Sequence, residues 1–119
     1  MIKVNEIPNS YEPRNKILSK LEAYFKGAKG SVLMTNSQSA FLCGLLETYR
    51  PKKILEIGVA AGGSTAIILQ PLEDIASPYE MHSVDICEKH WEHKEKNIGF
   101  LAEIAKENNL FTPPVNLMR

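Results

Sequence analysis

Apolar residues recur at two different periods along the chain, and the change of period separates its elements. Ile17, Leu18, Leu21, Tyr24, Phe25 and Ala28 follow helical spacing, and Gly27 and Gly30 punctuate the end of that stretch. Ahead of it, residues 1–13 carry Pro8 and Pro13 among polar side chains and read as an extended arm. A second helical face, Phe41, Leu42, Leu45, Leu46 and Tyr49, has Thr35, Asn36 or Ser37 available as N-cap, and Pro51 stops it. Residues 53–57 then read as a short buried strand whose apolar end is Ile54, Leu55 and Ile57. After a glycine-rich turn, a helix starting at Ser64 or Thr65 carries Ala66, Ile67, Ile68 and Leu69 as far as Pro71, which should end or kink it. Ser77-Pro78 marks the turn into a second strand, Met81 to Ile86. A last helix over about 94–108 presents Ile98, Leu101, Ile104 and Ala105 on one face. The order is αα-β-α-β-α, without repeats or low-complexity tracts.

The run Ile54-Leu55-Glu56-Ile57-Gly58-Val59-Ala60-Ala61-Gly62-Gly63-Ser64-Thr65 carries the most specific chemistry. Gly58, Gly62 and Gly63 can take backbone angles closed to other residues, and they leave room for a ligand against the main chain. The helix that follows points its unpaired amides, the positive end of its dipole, at whatever the turn holds. Such a strand, turn and helix suit a nucleoside. At the tip of the second strand stands Asp85, 23 positions after Gly62, where a carboxylate can accept both hydroxyl protons of a ribose. From the residues alone, a helix N-cap for Asp85 and a solvated strand-end charge for Glu56 remain the plainer alternatives.

The spacing decides between nucleosides. It reads E-x-G-x-x-x-G-G-S-T and lacks the G-x-G pair of the dinucleotide fingerprint. It resembles motif I of the class I S-adenosylmethionine (SAM)-dependent methyltransferases, most closely the small-molecule O-methyltransferase branch, where the stretch reads LEIG, three residues, then G-x-S. Gln38-Ser39-Ala40-Phe41-Leu42, Leu45-Leu46 and Pro51-Lys52-Lys53 resemble that family's approach to the strand. The resemblance is specific over residues 35–70 and extends to about residue 101, where Asn97-Ile98-Gly99-Phe100-Leu101 is similar to a segment of bacterial methyltransferases of this type.

The resemblance implies an α/β, Rossmann-like class I methyltransferase fold with two or three parallel strands, flanking helices and two N-terminal helices. It implies SAM as cofactor. The glycine turn, with Gly58, Val59, Ala60, Gly62, Gly63 and Ser64, would accept the methionine part, and Ser64 would offer its hydroxyl or amide to the carboxylate. Asp85 would bind the ribose, and Glu56 would shape the pocket near the methionine amine. Ile86 or Trp91 would cover the adenine, for which apolar and aromatic faces are suited. Packing against the last helix is the plainer role for Trp91.

Length changes this picture. The family's sheet has seven strands, and 119 residues carry signals for two, or three if the tail beyond Asn108-Asn109, with Pro113-Pro114, is extended. The chain therefore resembles the N-terminal, cofactor-binding half of a methyltransferase, truncated before the family's later metal ligands, base and acceptor pocket. No residue is assigned a catalytic role. The organisation expected is an N-terminal arm and helix over 1–34 and a partial SAM-binding domain over 35–119. Strand one, central in the complete sheet, would have an open edge, which recruits another strand. Self-association or pairing with a complementary chain is the expectation.

Composition excludes several classes. Lys plus Arg and Asp plus Glu are equal at 14 each, with no basic stripe, so no nucleic-acid partner is expected. No apolar run reaches a membrane span, and Met1-Ile2-Lys3-Val4-Asn5-Glu6 lacks a signal-peptide core, so the reading is cytoplasmic. Cys87, His90 and His93 lie three apart and invite a metal reading. With no second cluster, a polar loop with both histidines facing solvent is the stronger expectation, and no metal is assigned. His82, inside strand two, reads as structural. The function expected is SAM-dependent methyl transfer to a small-molecule or sugar oxygen. A non-catalytic SAM- or partner-binding module is the alternative, and an NAD-linked oxidoreductase fragment is less well matched by the glycine spacing.

Overall fold

The structure, a computed structural model, describes residues 3–76, 78–110 and 116–118. Helices α1 (Glu12–Glu22) and α2 (Asn36–Tyr49) precede strand β1 (Lys53–Ile57). Then follow α3 (Gly63–Asp74), β2 (Glu80–Val84), α4 (Phe100–Glu107) and β3 (Asn116–Met118). Ser77 and the Pro113-Pro114 stretch, read above as turn and tail, lie outside the described residues.

Helix α1 begins earlier than its apolar spacing predicts. Pro13 sits in its first turn, where a missing N–H is no loss, so the arm ends sooner. The helix stops at Glu22, whose carboxylate accepts the amides of Gly27 at 2.7 Å and Lys29 at 3.1 Å. Tyr24, Phe25 and Ala28 accordingly lie in the turns beyond it. Of the three candidate caps of α2, Thr35 serves. Its hydroxyl accepts the Gln38 amide, and the Gln38 side chain accepts the Thr35 amide.

Pro71 does not end α3. The helix runs on to Asp74. Proline leaves the Ile67 carbonyl without its usual helical donor, and the Cys43 thiol on α2 donates to that oxygen at 3.8 Å. Burial pushes the same thiol up to about 11, which keeps its proton available for the contact. Helix α4 is shorter than expected, because Gly99 turns left-handed at φ 79° and the helix starts only after it. Residues 94–99 are loop, and Ile98 is buried from there.

The sheet is parallel. β1 pairs with β2 in the register Lys53↔Glu80 to Ile57↔Val84, and β3 adds to the other side of β2 from His82↔Asn116 to Val84↔Met118. Strand order follows chain order, and α3 and α4, each between two consecutive strands, pack against each other. Ile17, Leu18 and Leu21 of α1, Cys43 and Leu46 of α2, Ala66 to Leu69 of α3, Leu101 of α4 and Met81 of β2 share one core. Glu56 and Ser83 are also buried on that side. Alternation then sends Leu55 and Ile57 to the opposite face, where they are 65% and 81% exposed, in contrast to the buried strand expected from their apolar character. Among the described residues, the outer edge of β1 has no partner strand, and no helix is long and apolar enough to cross a membrane.

Candidate functional site

The turn between β1 and α3 is braced from two sides. Gly58, at φ 86°, donates its amide to the Val84 carbonyl at 2.7 Å, which ties the turn to the end of β2. Behind it, the amides of Gly99 and Leu101 donate to the carbonyls of Ala60 and Ala61, each at 2.7 Å. Gly62 caps α3 at φ 93°, and a Cβ there would stand 2.9 Å from the Ala102 nitrogen and 3.0 Å from Gly99 Cα. A Cβ on Gly63 would meet Val32 at 2.7 Å. These two glycines therefore serve close packing of the chain on itself. Of the three expected to leave room for a ligand, Gly58 has open space at its Cβ position. Helix α3 starts at Gly63, so the amides of Gly63, Ser64 and Thr65 form its unpaired first turn.

Asp85 follows β2 and reaches back to the turn. Its Oδ2 accepts the Val59 amide at 2.9 Å and the Ala60 amide at 3.3 Å, and its Oδ1 accepts the Cys87 amide at 2.9 Å. Burial pushes this carboxyl up, but the N–H bonds from Cys87, Val59, Ala60 and Ile86 outweigh it and hold the group below the usual carboxylate value. No helix begins here, so Asp85 is not an N-cap.

Glu56 is buried at the base of the turn. Its Oε1 accepts the Thr65 hydroxyl at 2.5 Å and the Ser83 hydroxyl at 2.8 Å, and its Oε2 accepts the Ser64 hydroxyl at 2.9 Å. The carboxylate thus ties β1, α3 and β2 together, and it is no solvated strand-end charge. The Ser64 hydroxyl, one of the two groups expected to meet a ligand carboxylate, is committed to Glu56.

The loop after Asp85 is ordered around aromatic rings. His90 is only 4% exposed, and its Nδ1 accepts the amides of Glu92 and His93, both at 3.2 Å. Its ring stacks on Trp91 with centroids 4.2 Å apart and an interplanar angle of 22°. Phe100 meets both histidines edge-on, and Phe25 meets His93 and Phe100. The expectation that His90 and His93 face solvent is thereby corrected: Phe100 packs on both rings and Phe25 on His93, and His90 is buried and His93 half-buried. Desolvation, with the neighbouring His93, lowers the His90 pKa. Cys87 stays exposed, and among the described residues no group of three His, Cys, Asp or Glu is placed to hold a metal.

These elements enclose a cavity of about 360 Å³ at the C-terminal ends of β1 and β2. Gly58, Val59, Ala60, Gly63, Ser64, Asp85 and Trp91 line it, seven of the residues singled out from sequence. Glu56 and Gly62 stand behind the wall. Ile86, 99% exposed, borders a separate apolar depression with Ile57 and Val84. Sequence reasoning missed Ser31, Leu33 and Met34, which complete the cavity from the segment before α2. The signal for them is the apolar run Val32-Leu33-Met34 directly before a helix cap, too short for an element of its own.

Comparison with solved structures places the same fold in the crystal structure of the SAH-bound Podospora anserina methyltransferase PaMTH1 (SAH is S-adenosylhomocysteine). The TM-score is 0.56 and the identity 19%, over 90% of this chain and 41% of that one. The chain thus spans about two fifths of the length of that protein and has the Rossmann-like α/β fold seen there. No protein-family model matches the sequence, and no curated protein matches it.

Proposed function

We propose that the cavity binds SAM and that the chain is the cofactor-binding part of a methyltransferase, one acting on an oxygen of a small molecule or sugar. The observation that carries this reading is the placement of Asp85. It closes one wall of a cavity whose other walls are the first turn of α3 and Trp91. Its backbone bonds place two amides on Oδ2 and one on Oδ1, so Oδ1 keeps room for a further donor. A ribose hydroxyl matches that capacity. The unpaired amides of Gly63 and Ser64 suit the carboxylate of the amino-acid part, with the dipole of α3 behind them. Trp91, Leu33 and Met34 offer the aromatic and apolar surface that an adenine requires. Glu56 acts one layer back, fixing the turn. The neighbour's SAH-bound state agrees with this assignment.

When bound, such a cofactor supplies a sulfonium-activated methyl group, and this chain supplies its position and orientation. Asp85 is the one titratable side chain among the lining residues, and its backbone bonds keep it ionised. Proton removal from an acceptor is therefore assigned to no residue of this site. The same observation favours a second reading, a SAM-binding module without chemistry, which methyl transfer by the isolated chain would exclude.

The test is calorimetric titration of SAH into the chain, with Asp85→Asn as control and circular dichroism to establish that both are folded. Binding that weakens at least about tenfold in the variant supports the site, since a lost charged hydrogen-bond acceptor is worth about 1.5–3 kcal/mol. A folded wild-type chain that binds NAD and not SAH overturns the assignment.

A further inference from the structure

Trp91 reaches the cavity from a loop and keeps 52% of its surface exposed, so something must hold its ring in place. The contact the structure provides is the parallel stack on His90. His90 in turn is fixed at three points. Its amide donates to the Lys96 carbonyl at 2.9 Å, its ring edge meets Phe100, and its Nδ1 accepts two consecutive amides, those of Glu92 and His93. A ring nitrogen that accepts two N–H donors cannot carry a proton, so the neutral ring holds its hydrogen on Nε2.

We infer that His90 is a positioning residue for Trp91, and that a proton on its Nδ1 unlatches this wall of the cavity. The reading of the cavity as a nucleoside site underlies the ligand half of this inference, and the latch itself stands apart from it. A protonated Nδ1 would face the amide hydrogens of Glu92 and His93 instead of accepting them. Both bonds would be lost, the turn over 90–93 would open, and the indole would lose its stack. The ionisable groups acting on the ring are His93, whose ring is 5.3 Å away, and Glu92; from α4 the Phe100 ring meets it edge-on. Burial and His93 oppose the charged form, and Glu92 favours it more weakly, so the latch should open below the ordinary histidine value of 6.5. Asp85 remains ionised throughout that range.

Trp91 is the sole tryptophan, so its emission reports the latch directly. The experiment follows that emission from about pH 8 to about pH 5, with SAH titrated at both ends. Expected is a single step, with a red shift as the indole leaves its stack, centred below 6.5. The step should survive in His82→Gln and His93→Gln and vanish in His90→Asn. Asparagine places Oδ1 where Nδ1 stands, so that variant keeps the two amide bonds, loses the stack and does not titrate. At neutral pH it should bind SAH about 2- to 10-fold more weakly, the worth of one aromatic pair, and its affinity should no longer fall towards acid. A flat emission profile in the wild-type protein overturns the inference, as does a step that persists in His90→Asn. Because the emission scan needs no ligand, absence of SAH binding at every pH would strike the nucleoside assignment and leave the latch to be judged by the step alone.

Discussion

Replacing Glu56 by alanine separates a scaffold acid from a ligand-binding one. The carboxylate accepts three hydroxyl groups, from Ser64, Thr65 and Ser83, and it is nearly buried. Hydrogen bonds to a charged acceptor contribute about 1.5–3 kcal/mol each. Their sum is not reached, because the bonds share one acceptor and removing the charge also removes its desolvation penalty. The expected net loss is roughly 2–4 kcal/mol, a large share of the roughly 6–18 kcal/mol available to a chain of this size. Scanning calorimetry or a circular-dichroism melt should then show Tm lowered by roughly 10 °C. Glu56→Gln keeps one acceptor oxygen towards which the hydroxyls can rotate, and should lose about half as much. Since Glu56 stands behind the cavity wall, SAH affinity measured well below Tm should change by less than about threefold. The reasoning is refuted if the alanine variant melts within about 2 °C of the wild type while SAH binding disappears. Glu56 would then belong to the ligand and not to the turn.

Three further outcomes follow from the geometry. The depressed pKa of Asp85 means that its contribution to stability is fully present above the ordinary value of 3.8 and is lost as pH falls through the lower folded value; an acid titration followed by circular dichroism should show that loss in the wild type and a flatter profile in Asp85→Asn. Gly58→Ala introduces a left-handed alanine into open space and should lose about 1–2 kcal/mol in chemical denaturation. Gly62→Ala adds to the same strain a Cβ at 2.9 Å from the Ala102 nitrogen, and should lose clearly more or fail to fold; equal losses in the two would contradict the packing role of Gly62. With a thiol-reactive disulfide reagent at neutral pH, exposed Cys87 should react at once, and Cys43, buried and raised to about 11, only after denaturant is added.

The sequence made the core of the site legible because its signals are local. A glycine turn between an apolar strand and a helix, and an acid at the next strand tip, are each read within a few residues, and the fold brings Gly58, Ser64 and Asp85 to one cavity. What escaped depends on contacts distant in sequence. Pro71 predicts a helix end unless it is known that Cys43, 28 positions earlier, stands over the freed Ile67 carbonyl. His90 and His93 look solvent-facing until Phe25 and Phe100 are seen to close over them. Leu55 and Ile57 look buried because the apolar pattern of β1 does not say which faces of the sheet are covered. Gly62 reads as making room for a ligand, and its actual neighbours are Gly99 and the first turn of α4.

The order of the strands has a consequence for synthesis. β1, β2 and β3 are laid down in the same sequence in which they stand side by side, so each joins a neighbour already made. Every residue lining the cavity falls between Ser31 and Trp91. Once that stretch has left the ribosome, the walls of the site are present in a single continuous segment, before β3 has emerged. The aromatic brace from Phe100 and the backing bonds from Gly99 and Leu101 arrive next. A small molecule held by that segment would act on the nascent chain as a template, drawing the glycine turn closed before α4 has emerged.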